Sequence, residues 1–307
     1  MQSLAFRIGT RGSPLALAQA GETRRLLAAS AGLPEEAIAI VPIRTTGDII
    51  TDRPLAEAGG KGLFTKELDE ALLDGRIDLA VHSAKDLPTR LPDGIIIAAC
   101  LKREDVRDAF LSLKAATLAD LPEGAVLGTS SLRRKAMALR RRPDLKVVDL
   151  RGNVETRLRK LAEGGIDATL LALAGLRRLG LADRATSLMD EDWLPAPGQG
   201  IIAITALEKD TATLDRLASI SHRESMTALL AERAFLTILD GSCRTPIGGL
   251  ARLADDMLIF RGLIVRPDGS AAEAVERQGP ASSAETLGAD AGAELAGRSG
   301  PDFFAAG

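Results

Sequence analysis

Histidine and cysteine are scarce in this 307-residue chain, two of each, and no Cys-x-x-Cys or His-x-x-x-His spacing occurs. That leaves few transition-metal ligands, so no metal site is expected, although carboxylate-bound Mg²⁺ stays open. Aromatic residues make up only 3% and tyrosine is absent, which gives little surface for stacking nucleic-acid bases. The formal net charge of -3 provides no global positive field to gather nucleic acid. No apolar run approaches the roughly 18 residues of a membrane span. The first residues, Met1-Gln2-Ser3-Leu4-Ala5-Phe6-Arg7, lack the basic-then-apolar layout of a secretory signal. A soluble cytoplasmic protein that binds neither nucleic acid nor membrane is expected.

The two cysteines have unlike settings. Cys100 ends the apolar run Ile95-Ile96-Ile97-Ala98-Ala99 and reads as core. Cys243 sits in Asp240-Gly241-Ser242-Cys243-Arg244-Thr245-Pro246, a turn-forming stretch after a long amphipathic segment. A loop would expose it, and Arg244 beside it favours the thiolate. This contrast argues against a disulfide and for one special thiol.

With 46% hydrophobic residues the chain can fill several cores, and its length suits two or three domains. Over the first two thirds, short apolar runs alternate with helical stretches, which predicts α/β lobes with mainly parallel sheets. Ser13 is the expected N-cap and Pro14 the first residue of the first helix. Residues 45–62 are polar and Gly-rich and are expected to form a mobile loop, with a helix over 63–73 and a strand over 77–81. Residues 101–105 and 195–200 read as crossings between two lobes, and the strand at 201–206 as a return to the first. Two lobes, two hinge strands and a cleft follow. The remainder reads as a small α+β domain with a three-stranded antiparallel sheet: a long helix, three strands separated by Ala-Asp-Asp and Pro-Asp-Gly-Ser turns, and a last helix. The expected domains are residues 1–100 with 200–218, residues 101–199, and residues 219–307.

Ligands of open parallel sheets bind beyond the carboxyl ends of strands. Basic residues recur there: Arg11, Lys85, Arg133 and Arg134, Arg151 and Arg157, Arg177 and Arg178. Near a helix start each opposes the helix dipole at a cost of about 0.3–1 kcal/mol, which an anionic ligand would offset. The set implies a ligand with several negative charges, against the plainer reading of solvated arginines paired with Asp or Glu. Asp86 is the lone acid in Ser83-Ala84-Lys85-Asp86-Leu87-Pro88. It either neutralises Lys85 and shapes the turn, or serves a ligand that also develops positive charge. His82 is expected to be a hydrogen-bonded structural residue. Thr129, Ser130 and Ser131 are either helix caps only or caps that also bind ligand oxygens through their hydroxyls and the helix N-terminus. Arg140-Arg141-Arg142 is expected to cap a helix C-terminus and is a weak pointer to nucleic acid.

Seven segments together resemble the porphobilinogen deaminase (hydroxymethylbilane synthase) family over nearly the whole chain. They are Arg11-Gly12-Ser13-Pro14-Leu15-Ala16-Leu17, Gly59-Gly60-Lys61-Gly62-Leu63-Phe64, and Val81-His82-Ser83-Ala84-Lys85-Asp86-Leu87-Pro88. Then come Gly128-Thr129-Ser130-Ser131-Leu132-Arg133-Arg134, Leu150-Arg151-Gly152-Asn153-Val154 with Thr156-Arg157-Leu158, and Ala174-Gly175-Leu176 with Arg178-Leu179-Gly180. Gly241-Ser242-Cys243 with Pro246-Ile247-Gly248 completes the set. The resemblance implies lobes like those of periplasmic binding proteins and a transferase of porphyrin, tetrapyrrole and heme biosynthesis. It implies a dipyrromethane cofactor held by a thioether at Cys243. Four porphobilinogen units are added stepwise with release of ammonia, and water frees hydroxymethylbilane for the next enzyme of the pathway. Asp86 would stabilise the cation left by loss of ammonia. Arg11, Ser13, Lys61, Arg151 and Arg157 would meet substrate. Ser83, Lys85, Thr129, Ser131, Arg133, Arg134 and Arg178 would hold cofactor and chain carboxylates. Glu57 departs from the family pattern, in which a basic residue is common there. A monomer is expected. A non-catalytic polyanion-binding protein and a nucleic-acid binder are the competing readings; the first has no use for Cys243.

Overall fold

The computed structural model describes residues 6–49, 62–239, 245–300 and 303–304. In chain order the elements begin with Phe6–Arg11 (β1), Pro14–Ala31 (α1), Ile38–Ile43 (β2), Thr46–Ile49 (α2), Lys66–Leu73 (α3), Leu79–Ser83 (β3) and Ile95–Cys100 (β4). Asp108–Ser112 (β5), Val126–Gly128 (β6), Leu132–Arg141 (α4), Lys146–Val148 (β7), Val154–Ala162 (α5), Ala168–Ala172 (β8), Leu173–Arg178 (α6) and Ser187–Leu188 (β9) follow. Last come Ile202–Leu207 (β10), Thr211–Ala218 (α7), Arg223–Ile238 (α8), Ile247–Ala254 (β11), Met257–Val265 (β12), Ala272–Pro280 (β13) and Ala284–Ser299 (α9).

The chain divides into two compact units, Met1–Glu104 with Gly200–Met226, and Asp105–Gln199 with Thr227–Gly307. The first holds a five-stranded sheet in the order β2-β1-β3-β10-β4. β1 runs parallel to β2 and β3, and β10 is antiparallel to both its neighbours, so four strands share one direction and β10 opposes them. The second holds an equivalent sheet, β7-β6-β8-β5-β9, in which β5 is the reversed strand. Each reversed strand is the one that follows a crossing segment, and the late strand at 202–207 does return to the first sheet.

Period-two alternation sorts the side chains to the two faces of each sheet. In β3, Leu79 and Val81 pack with Ala20 and Leu27 of α1, while Ala80 packs with Leu68 and Leu72 of α3. In β5, Phe110 joins Ala136 and Met137 of α4, while Ala109 and Leu111 join Leu161 and Leu176. α1 starts as its sequence dictates: Ser13 Oγ accepts from the Ala16 amide at 3.3 Å, and Pro14 fills the first helical position, whose amide needs no partner.

The second unit also carries the antiparallel sheet β11-β12-β13, with α9 packed on it. Its tight turns are chemically specified. Asp255 takes φ 55° between β11 and β12, and Asp268 Oδ1 accepts from both the amide and hydroxyl of Ser270 beside Gly269. α8 and α9 meet at Gly288, where a Cβ would lie 2.0 Å from the Ala231 carbonyl oxygen. Gly288→Ala is expected to cost about 1–3 kcal/mol by forcing the two backbones apart. A urea midpoint equal to the parent's would refute that contact.

Several expectations shift. The helix over 63–73 begins only at Lys66, after a turn over 62–65, and the strand at 77–81 is Leu79–Ser83. The described start of the 45–62 segment is helical, as α2; residues 50–61 lie outside the described residues. No described helix is long and apolar enough to cross a membrane.

Candidate active site

The carboxyl ends of β1 and β3 and the first turns of α1 surround a pocket lined by Arg11, Ser13, Gln19, Phe64, Ser83 and Asp86, among others. Four sequence-predicted residues thus meet in one place: Arg11, Ser13, Ser83 and Asp86. Lys85 is half-buried between the last two. Lys61, Glu57 and Cys243 lie outside the described residues.

Asp86 ends a short 3-10 turn, Ala84–Asp86, immediately after β3. Its side chain is exposed, and its carboxylate makes no hydrogen bond or ion pair with the described residues. Ser83 is different: its hydroxyl lies 2.9 Å from Gln19 Nε2. Gln19, only 3% exposed, was not anticipated from the sequence. The signal was available, because position 19 falls on the helix stripe Ala16, Ala20, Thr23, Leu27 that faces the sheet. An amide on an apolar stripe needs a partner. His82 Nε2 is 3.0 Å from Thr205 Oγ1, and burial, helped by the charge of Arg11, lowers its pKa to about 4. It is neutral at physiological pH and hydrogen-bonded, as expected.

Arg11 is held on two sides. Its Nε donates to Asp48 Oδ1 at 3.1 Å, its Nη2 donates to the same oxygen, and its guanidinium lies 4.1 Å from the Phe64 ring centroid. Burial alone would raise the Asp48 carboxyl. Hydrogen bonds and charge from Arg11, with help from Thr45, bring it below the usual carboxylate range.

The remaining candidates belong to the second unit. Thr129 follows β6, Arg151 lies just beyond β7, and α6, which carries Arg178, begins directly after β8; all three strands are parallel. Ser131 caps α4 by accepting from the Arg134 amide at 3.4 Å, and Thr129 Oγ1 accepts from the Ser131 amide at 3.2 Å. Arg157 Nε donates to the Gly152 carbonyl at 2.9 Å. Arg133 and Arg134 are buried, not surface groups. Arg133 Nη2 and Arg134 Nη2 each reach a different oxygen of Asp108 at 2.7 Å. Two guanidiniums on one carboxylate leave a net positive charge, and Arg133 Nε is buried without a partner.

The triple arginine at 140–142 ends α4 as expected: Arg140 and Arg141 lie in its last turn, and Arg142 is the C-cap residue, its amide donating to the Ala138 carbonyl at 2.8 Å. Arg142 Nη1 donates to the carbonyls of Leu118, Ala119 and Leu121, and Arg141 forks onto Asp190 beside Trp193. Arg142 also forks onto Asp144, so the charges of Arg141 and Arg142 each meet a carboxylate. Among the described residues no group of three or more His, Cys, Asp or Glu side chains could hold a metal ion.

Solved structures similar to the chain include an ABC-transporter periplasmic substrate-binding protein from Coxiella burnetii, 15% identical, covering 72% of this chain and 94% of that one with TM-score 0.45. Curated relatives named porphobilinogen deaminase are much nearer. The Nitrobacter hamburgensis protein is 59% identical, covering 97% of this chain and 94% of its own. That of Paracoccus denitrificans is 56% identical, covering 97% and 96%. Two family models match: "Porphobilinogen deaminase, dipyromethane cofactor binding domain" over residues 6–215 and "Porphobilinogen deaminase, C-terminal domain" over residues 226–297. On the residues of its pocket, its sequence motifs and these matches together, the chain belongs to the porphobilinogen deaminase family.

Proposed function

We propose that the pocket at the ends of β1 and β3 is where porphobilinogen loses ammonia, with Asp86 as the catalytic group. Family membership makes the chain a hydroxymethylbilane synthase that carries a dipyrromethane cofactor. The observation that carries the site assignment is the Asp86 carboxylate, without a hydrogen bond or ion pair to the described residues and the one acid in a pocket lined by Arg11, neutral polar groups and the apolar Leu15, Ala16, Phe64 and Val81.

When the C–N bond of the aminomethyl group breaks, the pyrrole nitrogen supplies the electrons and the departing ammonia leaves a cationic ring. A carboxylate already fixed beside that ring stabilises it without reorganisation, the reversed-sign counterpart of an oxyanion hole. Arg11 and Ser13 are assigned to the acetate and propionate of the incoming ring, with Arg151 and Arg157. Ser83, Lys85, Thr129, Ser131, Arg133, Arg134 and Arg178 are assigned to the carboxylates of cofactor and growing chain. When bound, the dipyrromethane supplies the nucleophilic pyrrole carbon on which the chain grows, and Cys243 is assigned as its thioether anchor. Lys61 is assigned to the substrate loop. The threefold division 1–100 with 200–218, 101–199 and 219–307 goes with these roles. So do a monomer and a cytoplasmic location, where the pathway's next enzyme would take the product.

Intact mass spectrometry tests the anchor. The purified protein is expected to exceed its sequence mass by two pyrrole units, and Cys243→Ser to lose that increment. A fully active protein of unmodified mass would end the covalent reading.

A further inference from the structure

A guanidinium has two edges that can grip a carboxylate, Nε with Nη2 and Nη1 with Nη2. In Arg11 the first is taken by Asp48, and Nη1 has no partner among the described residues. Asp48 is itself fixed: Thr45 Oγ1 donates to its Oδ2 at 2.8 Å, and the Thr45 amide reaches the same oxygen at 3.4 Å. The neighbouring Thr46 bonds Glu67 of α3 through both amide and hydroxyl, which ties α2 down. The Phe64 ring covers one face of the guanidinium. Arginine has four side-chain torsions to fix, and here Asp48 and Phe64 fix them before any ligand arrives.

From this geometry we propose that Asp48 is a positioning residue, which holds the Nε–Nη2 edge of Arg11 so that the Nη1 edge is presented to a substrate carboxylate. The proposal rests on the assignment of Arg11 to substrate binding. Asp48 touches no reacting atom, so its effect falls on binding. A plain competitor for Arg11 would have the opposite effect, since its removal would tighten substrate binding.

Steady-state kinetics of holoenzymes, each checked by intact mass, decide the matter. Asp48→Asn is expected to raise KM for porphobilinogen about tenfold, the factor that a lost charge-assisted hydrogen bond carries, with kcat within about twofold. Asp48→Glu keeps the charge and is expected to recover most of that loss. The Asp48→Asn, Arg11→Gln double variant is expected to be no worse than Arg11→Gln alone, because the first residue acts through the second. Additive losses, or an unchanged or lowered KM in Asp48→Asn, would overturn the clamp. Arg11→Gln with an unchanged KM would remove Arg11 from binding and the clamp with it. Should Asp48→Asn fold poorly, Asp48→Glu carries the test: wild-type stability with the full KM defect would count against positioning by charge.

Discussion

Asp86→Asn is expected to lower kcat by two to three orders of magnitude, leave KM within a few-fold, and leave the unfolding midpoint where it was. Removing one preorganised group aimed at developing charge costs about 2.7–4 kcal/mol of transition-state stabilisation, which is a factor of roughly 10² to 10³. Asparagine keeps the shape and loses only the charge. Stability should hold because the carboxylate is exposed and makes no hydrogen bond or ion pair with the described residues. Binding should hold because the acetate and propionate of the substrate are assigned to arginines and not to this acid. The variant is also expected to keep the two-pyrrole mass increment, which separates a defect of turnover from a missing cofactor. Normal kcat in a correctly loaded Asp86→Asn protein would remove Asp86 from the mechanism.

Asp86 stood out in the sequence as the lone acid beside Lys85, and the residues alone left it either as a turn-shaping partner of that lysine or as a group for a developing positive charge. Its surroundings were legible only in part. Arg11 and Asp48 are 37 residues apart, and nothing in a local window links them. Gln19 could have been found from its place on the buried stripe of α1, since helical period fixes which residues share a face. The parallel architecture followed from alternating strand and helix signals, and the antiparallel tail from Asp-rich turns. β5, Asp108–Ser112, was missed because the charged run 102–108 masks it. A strand that opens on aspartate does not look buried until its partners are known. α7 was missed although its start is a local signal: Asp210 caps it by accepting from the Thr213 amide, while Thr211 and Thr213 are themselves poor helix formers.

The aspartate that hid β5 is expected to be the most costly side chain to lose. Asp108 is fully buried and accepts from Arg133 Nη2, Arg134 Nε and Nη2, Trp193 Nε1 and Gln199 Nε2 at 2.7–3.2 Å. Burial would push its carboxyl up, but the two guanidiniums hold it well below the usual carboxylate range. Asp108→Ala leaves two buried cations uncompensated and takes from the Trp193 indole its hydrogen-bond partner, while Gln199 Nε2 keeps the Val106 carbonyl. Breaking a buried ion pair from one side costs about 3–5 kcal/mol. Set against the roughly 5–15 kcal/mol that holds a typical domain, that is a large share. The urea midpoint is therefore expected to fall steeply, followed through Trp193, the only tryptophan in the chain, whose indole sits 2.9 Å from the deleted carboxylate. Asp108→Asn, which keeps one acceptor oxygen, should fall between. The sign with pH follows from the depressed folded pKa: the contribution is complete above the ordinary value near 3.8 and is lost as pH falls below it. Wild type should thus lose stability between about pH 4 and pH 2 more steeply than Asp108→Asn does. Equal slopes, or an Asp108→Ala midpoint near wild type, would mean that the arginine pair is held by something other than this carboxylate.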